Sequence, residues 1–175
     1  MRSPDLGADR SARLPSWPMT LGIVAVVAAY FGTQSWRDQH LFLINATESL
    51  PNWAFVVERG TIPERGKLAF FAVRKTPLIV AHFGADPQPF GKTVYGMSGD
   101  LVTRVDDWVS VNGVRVAHIK KLSKRGEVLT PGPVGRVPTN CYFMATPHPD
   151  GFDSRYADIG WVCPNQIVGT GSAIL

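Results

Sequence analysis

Cysteine is scarce in this chain, with only Cys141 and Cys163 among 175 residues. The pair is too small for a zinc cluster and too widely spaced for a Cys-x-x-Cys redox centre. The four histidines, at 40, 82, 118 and 148, show no His-x-x-x-His spacing and no carboxylate cluster joins them. The sequence therefore predicts neither a metal nor a cofactor. It also lacks a Gly-x-Ser-x-Gly elbow, which counts against a Ser–His–Asp triad. Internal repeats, low-complexity tracts and long stretches of helical periodicity are missing from the region beyond residue 40. Charged residues make up 18% and hydrophobic ones 45%. Wholesale disorder is thereby excluded, and one core domain with an appendage fits the length.

Positive charge is in slight excess, +4 overall. The basic residues cluster once, at Lys120, Lys121, Lys124 and Arg125, with no aromatic platform beside them, so no nucleic-acid partner is expected. A solvated loop is the simpler reading of that run. An anionic membrane surface is the better of the other options.

One long stretch carries no charge at all. From Leu14 to Trp36 the chain is neutral, and its centre reads Leu21-Gly22-Ile23-Val24-Ala25-Val26-Val27-Ala28-Ala29-Tyr30-Phe31. A helix needs about 20 such residues to cross the hydrocarbon layer. Pro15 and Pro18 lie near its start, where a missing amide donor costs little. Trp17 and Trp36 bracket it as interfacial rings do. Arg2, Arg10 and Arg13 precede the run and only Arg37 follows closely, so the N-terminus is expected in the cytoplasm. The expected division is a cytoplasmic tail over 1–14, a transmembrane anchor over 15–36 and an exported domain over 37–175. A cleaved secretory signal is the rival, with Ala25, Ala28 and Ala29 as small residues of the kind cleavage uses. Either way the remainder meets an oxidising compartment, where a Cys141–Cys163 disulfide can form. Two separately buried thiols remain the alternative, since Tyr142-Phe143 and Trp161-Val162 make apolar surroundings.

The exported part reads as mainly β. Ala54 to Val57, Lys67 to Arg74, Leu78 to Phe83 and Leu101 to Val109 are strand candidates among recurring Pro and Gly. Val109-Ser110-Val111, Asn112-Gly113 and Val114-Arg115-Val116 form a hairpin signal, because both turn positions require positive φ. A compact antiparallel β-domain behind one N-terminal transmembrane helix is the predicted fold.

Three stretches carry chemistry: Asn45-Ala46-Thr47-Glu48-Ser49-Leu50-Pro51, then Gly91-Lys92-Thr93-Val94-Tyr95-Gly96-Met97-Ser98-Gly99-Asp100, then His148-Pro149-Asp150-Gly151-Phe152-Asp153-Ser154-Arg155-Tyr156. Singly, each reads as a turn, a strand end or a surface ion pair. In order, an anchor followed by Ser-x-Pro, Lys-x-Val-x-Gly-x-x-Gly-Asp and Asp-Ser-Arg-Tyr resembles the bacterial type I signal peptidases. The Asn-x-Thr-x-Ser-Leu-Pro form, the small size and the Gly-Thr-Gly-Ser ending resemble their conjugative-transfer branch, the TraF peptidases.

The resemblance implies a signal-peptidase-like fold and a serine–lysine dyad. Ser49 would be the nucleophile and Lys92 its base. A serine hydroxyl attacks only once a base takes its proton, and a lysine serves when its amine is neutral. The ordinary lysine value of about 10.4 must then fall to about 7, which burial can supply. Phe90, Val94 and Tyr95 give Lys92 such surroundings; the lysines at 67, 75, 120, 121 and 124 do not match the motif. The resemblance makes the Ser49 amide the first oxyanion donor and Thr47 the second. Asp153 and Arg155 match the acidic and basic pair, with Asp153 in a catalytic role. Housekeeping relatives place a lysine-orienting serine where this chain has Gly151, which leaves that role to Asp153 or to another hydroxyl. An ion pair that merely pins a loop is the competing reading of Asp153.

On this reading the substrate is an exported pilin precursor of a type IV secretion system, processed at the bacterial inner membrane by a periplasmic domain. The lipid bilayer and other conjugation components would be partners. An acyl-enzyme at Ser49 allows release to water or to the pilin's own amine, which would close it head to tail. A general signal peptidase acting on secretory precursors, and a non-catalytic anchored scaffold, are the alternatives.

Overall fold

The structure is a computed structural model that describes residues 17–45 and 50–174. The chain divides between Asp38 and Gln39 into two units.

Helix α1, Trp17–Gln39, fills the described part of the first unit with 23 residues. At 1.5 Å per residue that is about 35 Å, enough for a hydrocarbon layer of about 30 Å. Pro18 stands in the first turn, where its missing N–H costs no bond. None of its described side chains is buried, and Leu21, Ile23, Val24, Val26, Tyr30 and Phe31 are all exposed. A helix apolar on every side has no core of its own to face. Its hydroxyls find partners within the helix: Thr20 donates to the Trp17 carbonyl and Thr33 to that of Tyr30, both at 2.8 Å. Length and composition suffice for a membrane crossing.

Among the described residues the second unit holds ten strands, one short α-helix and a 3-10 turn at Pro164–Gln166. The strands are β1 (His40–Ile44), β2 (Ala54–Arg59), β3 (Leu68–Phe71), β4 (Phe90–Gly96), β5 (Leu101–Val105), β6 (Trp108–Val111), β7 (Val114–His118), β8 (Gly135–Arg136), β9 (Phe143–Ala145) and β10 (Ile167–Ala173). One sheet runs β1-β2-β10-β3-β4-β9 and the other β7-β6-β5-β8, every pairing antiparallel. The mainly antiparallel β reading therefore holds.

The local readings hold with three exceptions. Asn112 and Gly113 do turn the chain from β6 into β7, with φ of 49° and 83°. Asn112 also ties the hairpin tip to β5, accepting from the Leu101 amide at 2.9 Å and donating to Asp100 Oδ1 at 2.7 Å. Leu101 to Val109 proves to be two strands, broken at Asp106, whose φ is 52°.

The segment 78–83, expected as a strand, is instead the helix α2, Pro77–Phe83. The cause is local and visible in the residues before it. The Thr76 hydroxyl accepts from the Ile79 amide at 3.3 Å, and Pro77 enters at the first position with φ already set. Gly84 closes the helix with φ of 85°, its N–H donating to the Val80 carbonyl. Strand β3 is correspondingly shorter than the expected 67–74, ending at Phe71.

Both faces of the strands around β4 and β9 are covered. Phe143 and Ala145 pack with Val102, Val111 and Tyr156, while Met144 packs with Val94, Phe71 and Ile79 of α2. The last strand, β10, is wedged between β2 and β3. Its Gly171 leaves room for the Phe70 ring, whose Cε2 lies 2.4 Å from where a Cβ would stand. Cys141 and Cys163 are joined as a disulfide, Cα atoms 4.2 Å apart. The Tyr142–Val162 bridge beside it pins the start of β9 to the segment that leads into β10.

Candidate active site

The second motif lies on β4, and its spacing is that of a strand. Lys92, Val94 and Gly96 point inward while Gly91, Thr93 and Tyr95 are less covered. Side chains two apart share a face, so Lys92 is carried into the interior with Val94. It is 4% exposed. Burial lowers its amine from the ordinary 10.5 to about 8. The nearby Asp153 charge works against that shift, and the Arg155 charge adds to it.

The third motif forms a brace beside that amine. Asp153 and Arg155 are both without solvent contact, at 0% and 1% exposure. Arg155 Nε donates to Asp153 Oδ1 and Nη2 to Oδ2, each at 2.8 Å. The rest of the guanidinium donates to the carbonyls of His118, His148 and Thr146. Asp153 in turn accepts from the Thr146 amide at 3.0 Å and the Arg155 amide at 3.2 Å. Ser154 completes the link to β9, its Oγ accepting from the Met144 amide at 3.0 Å. No described buried side-chain polar atom lacks a partner, as a dry charged site requires.

The described ends of the first motif lie between β1 and β2. Asn45 donates through its side chain to the carbonyls of Leu50 and Asn52, at 3.0 and 2.8 Å, and through its amide to Trp53. Ser49 and Thr47, the expected nucleophile and oxyanion donor, lie outside the described residues. Their flanking residues do not. Asn45 and Leu50 line one cavity of about 940 Å³ together with Lys92, Gly151 and Phe152. Residues of all three motifs thus meet at one concavity, the usual form of a substrate site.

Residues 14–175 match the family described as signal peptidase, peptidase S26. The chain belongs to this signal peptidase family. Its members are serine endopeptidases, and a signal peptidase acts on exported precursors at a membrane, which suits an apolar helix such as α1. Among solved structures, this signal peptidase is similar to a signal peptidase I from Enterococcus faecalis V583, at 23% identity and a TM-score of 0.37. That match covers 62% of this chain and 95% of the other. No curated protein matches it in sequence.

Several residues in and around the cavity of this signal peptidase carried no catalytic signal in the sequence. Lys120 and Lys124, read as part of a wet run, both pair with Asp150 at the cavity wall. Arg125 reaches back to the Ala81 carbonyl of α2. His82 bonds Glu127 at 3.0 Å, and Glu127 also takes the Ser123 hydroxyl. Thr146, buried beside the Asp153 brace, belongs to none of the three motifs. Its place is legible only from strand register, which sequence spacing does not supply.

Proposed function

We propose that this signal peptidase is a membrane-anchored serine–lysine endopeptidase that processes a propilin-type precursor for conjugative transfer. The observation that carries the dyad is the state of Lys92. A buried lysine of lowered basicity on the wall of a cavity is a base in waiting. The residues that bracket Ser49 line the same cavity.

In this reading neutral Lys92 Nζ takes the Ser49 Oγ proton as the oxygen attacks the scissile carbonyl carbon. The oxyanion is held by the Ser49 amide and the Thr47 hydroxyl. The Lys92 ammonium then gives its proton to the departing amine, leaving an ester on Ser49. Water attacks that ester with its proton passing to Lys92, which returns it to Ser49 Oγ as the ester C–O bond breaks and the acyl fragment leaves as a carboxylic acid. Where the pilin's own amino group reaches the ester first, the same step closes the chain into a ring.

The choice of a propilin over general secretory precursors rests on the Asn45-x-Thr47-x-Ser49-Leu50-Pro51 form and on Gly151. The compact domain points the same way. The family as a whole supports the broader reading, a signal peptidase for many precursors, which stands as the second. A periplasmic domain on the inner membrane agrees with the Arg2, Arg10 and Arg13 bias and with the Cys141–Cys163 bond.

The test is cleavage by the purified full chain in vesicles, offered a propilin and a secretory precursor in parallel. Propilin is cut, and Ser49→Ala and Lys92→Ala abolish the cut while exposed Lys75→Ala does not. Cleavage of the secretory precursor alone would sink the propilin assignment. Full activity in Lys92→Ala would sink the dyad.

A further inference from the structure

A base works only when its lone pair is aimed, and a buried amine must be aimed by a fixed neighbour. Asp153 is the obvious candidate, yet its carboxylate is full. Oδ1 accepts from Arg155 Nε and the Arg155 amide, and Oδ2 from Arg155 Nη2 and the Thr146 amide. Four donors occupy the four lone-pair directions a carboxylate has. Asp153 thus acts on Lys92 through its charge and leaves the positioning to another group.

The register between β4 and β9 names that group. Thr93 faces Ala145 and Val94 faces Met144. The same antiparallel order, carried one residue further, sets Thr146 across from Lys92. The backbones of Met144 and Thr146 turn away from β4: they exchange bonds with Ser154, Asp153 and Arg155 instead. On that extended register Lys92 and Thr146 form a non-hydrogen-bonded pair, the class in which opposed side chains come closest. Both are buried, at 4% and 2% exposure.

The cavity side agrees. A Cβ at Gly151 would lie 2.3 Å from Thr146 Cγ2, so the threonine methyl already fills the space next to residue 151. Gly151 itself brings no hydroxyl there. Thr146 brings a hydroxyl to this buried corner, where it also accepts from the His148 amide at 3.4 Å.

We propose that Thr146 is the positioning residue for Lys92, its hydroxyl holding the amine toward Ser49. The inference rests on the Ser49–Lys92 reading above, and it assigns Thr146 no bond-making step. Thr146→Val keeps the shape and removes the hydroxyl; Thr146→Ala removes it without adding a methyl; Thr146→Ser keeps it.

The experiment measures steady-state precursor cleavage and thermal unfolding for these three variants, with Lys92→Ala alongside. The expected result is a fall in kcat of at least tenfold in both Val and Ala variants, with KM unchanged. Thr146→Ser stays within threefold of the parent. A structural role would not separate kcat from KM, nor would it follow the hydroxyl. The proposal is overturned if either Val or Ala, at unchanged Tm, keeps kcat within twofold. It is overturned equally if Ser is as impaired as Val. An active Lys92→Ala would instead reject the dyad itself, so the two failures are told apart.

Discussion

The Asp153 carboxylate and the Arg155 guanidinium meet through two bonds of 2.8 Å where solvent does not reach either side chain. Such a pair costs more to break than it contributes when made, because removing one charge strands the other in a dry place. Its surroundings show how it is retained. Backbone groups of Thr146, His118 and His148 satisfy the atoms that the two partners leave over.

Replacing Asp153 by Asn separates the pair's two effects. The isosteric amide leaves the Arg155 charge uncompensated, and the expected loss is about 3 kcal/mol of folding free energy, read by urea unfolding. The second effect falls on Lys92, whose amine the Asp153 charge holds up. Without that charge the amine becomes less basic, so the acid limb of the pH–rate profile moves to lower pH. A limb that moves upward, or an unchanged profile in a folded variant, would contradict the electrostatic link between the two residues.

The Lys92 amine predicts a pH dependence of its own. In the unfolded chain it holds its proton to about 10.5, and in the fold only to about 8. Between those values the unfolded state binds more protons, so stability rises with pH across the window. Below about 8 the cost of burying the charge is fully present. At 1.36 kcal/mol for each tenfold change, that cost is about 3 kcal/mol. Lys92→Met removes it: the variant is inactive, yet more stable than the parent at pH 7 by roughly 2 kcal/mol. Its advantage fades as pH rises from 8 toward 10.5. Cleavage by the parent rises with pH and levels off above about 8. A less stable Lys92→Met protein at pH 7 would show that burial does not lower the basicity of this amine.

Much of this was readable beforehand because the determinants are local. Strand alternation carries Lys92 and Val94 to one face, and Asn112-Gly113 dictates a hairpin whatever surrounds it. The α2 segment shows the limit of apolar patterning. Leu78 to Phe83 suits a strand by composition, and the Thr76 cap with Pro77 outweighs it. What sequence spacing does not contain is register. Thr146 lies 54 positions from Lys92 in the chain, and only the β4–β9 register, carried one residue past the Thr93–Ala145 pair, sets them opposite. The Lys120 run stays exposed, as its charge suggests, and two of its lysines pair with Asp150.

Gly151 offers the sharpest test of how tightly the site is built. A methyl placed there would lie 2.3 Å from Thr146 Cγ2, 2.8 Å from Arg155 Nη2 and 3.0 Å from Asp153 Oδ2. All three neighbours are buried, and the two charged ones are fixed by their mutual bonds. Gly151→Ala is therefore expected to lower stability by about 2 kcal/mol, the ordinary cost of overfilling a packed interior. The nearest of the three contacts disappears when Thr146 loses its methyl. Thr146→Ser should then recover part of the loss, so the double variant is less destabilised than the two single effects combined. The unfolding free energies of the four proteins in that cycle decide the matter. Strict additivity would mean that the alanine methyl is accommodated by movement elsewhere, and that Thr146 does not fill the space beside residue 151.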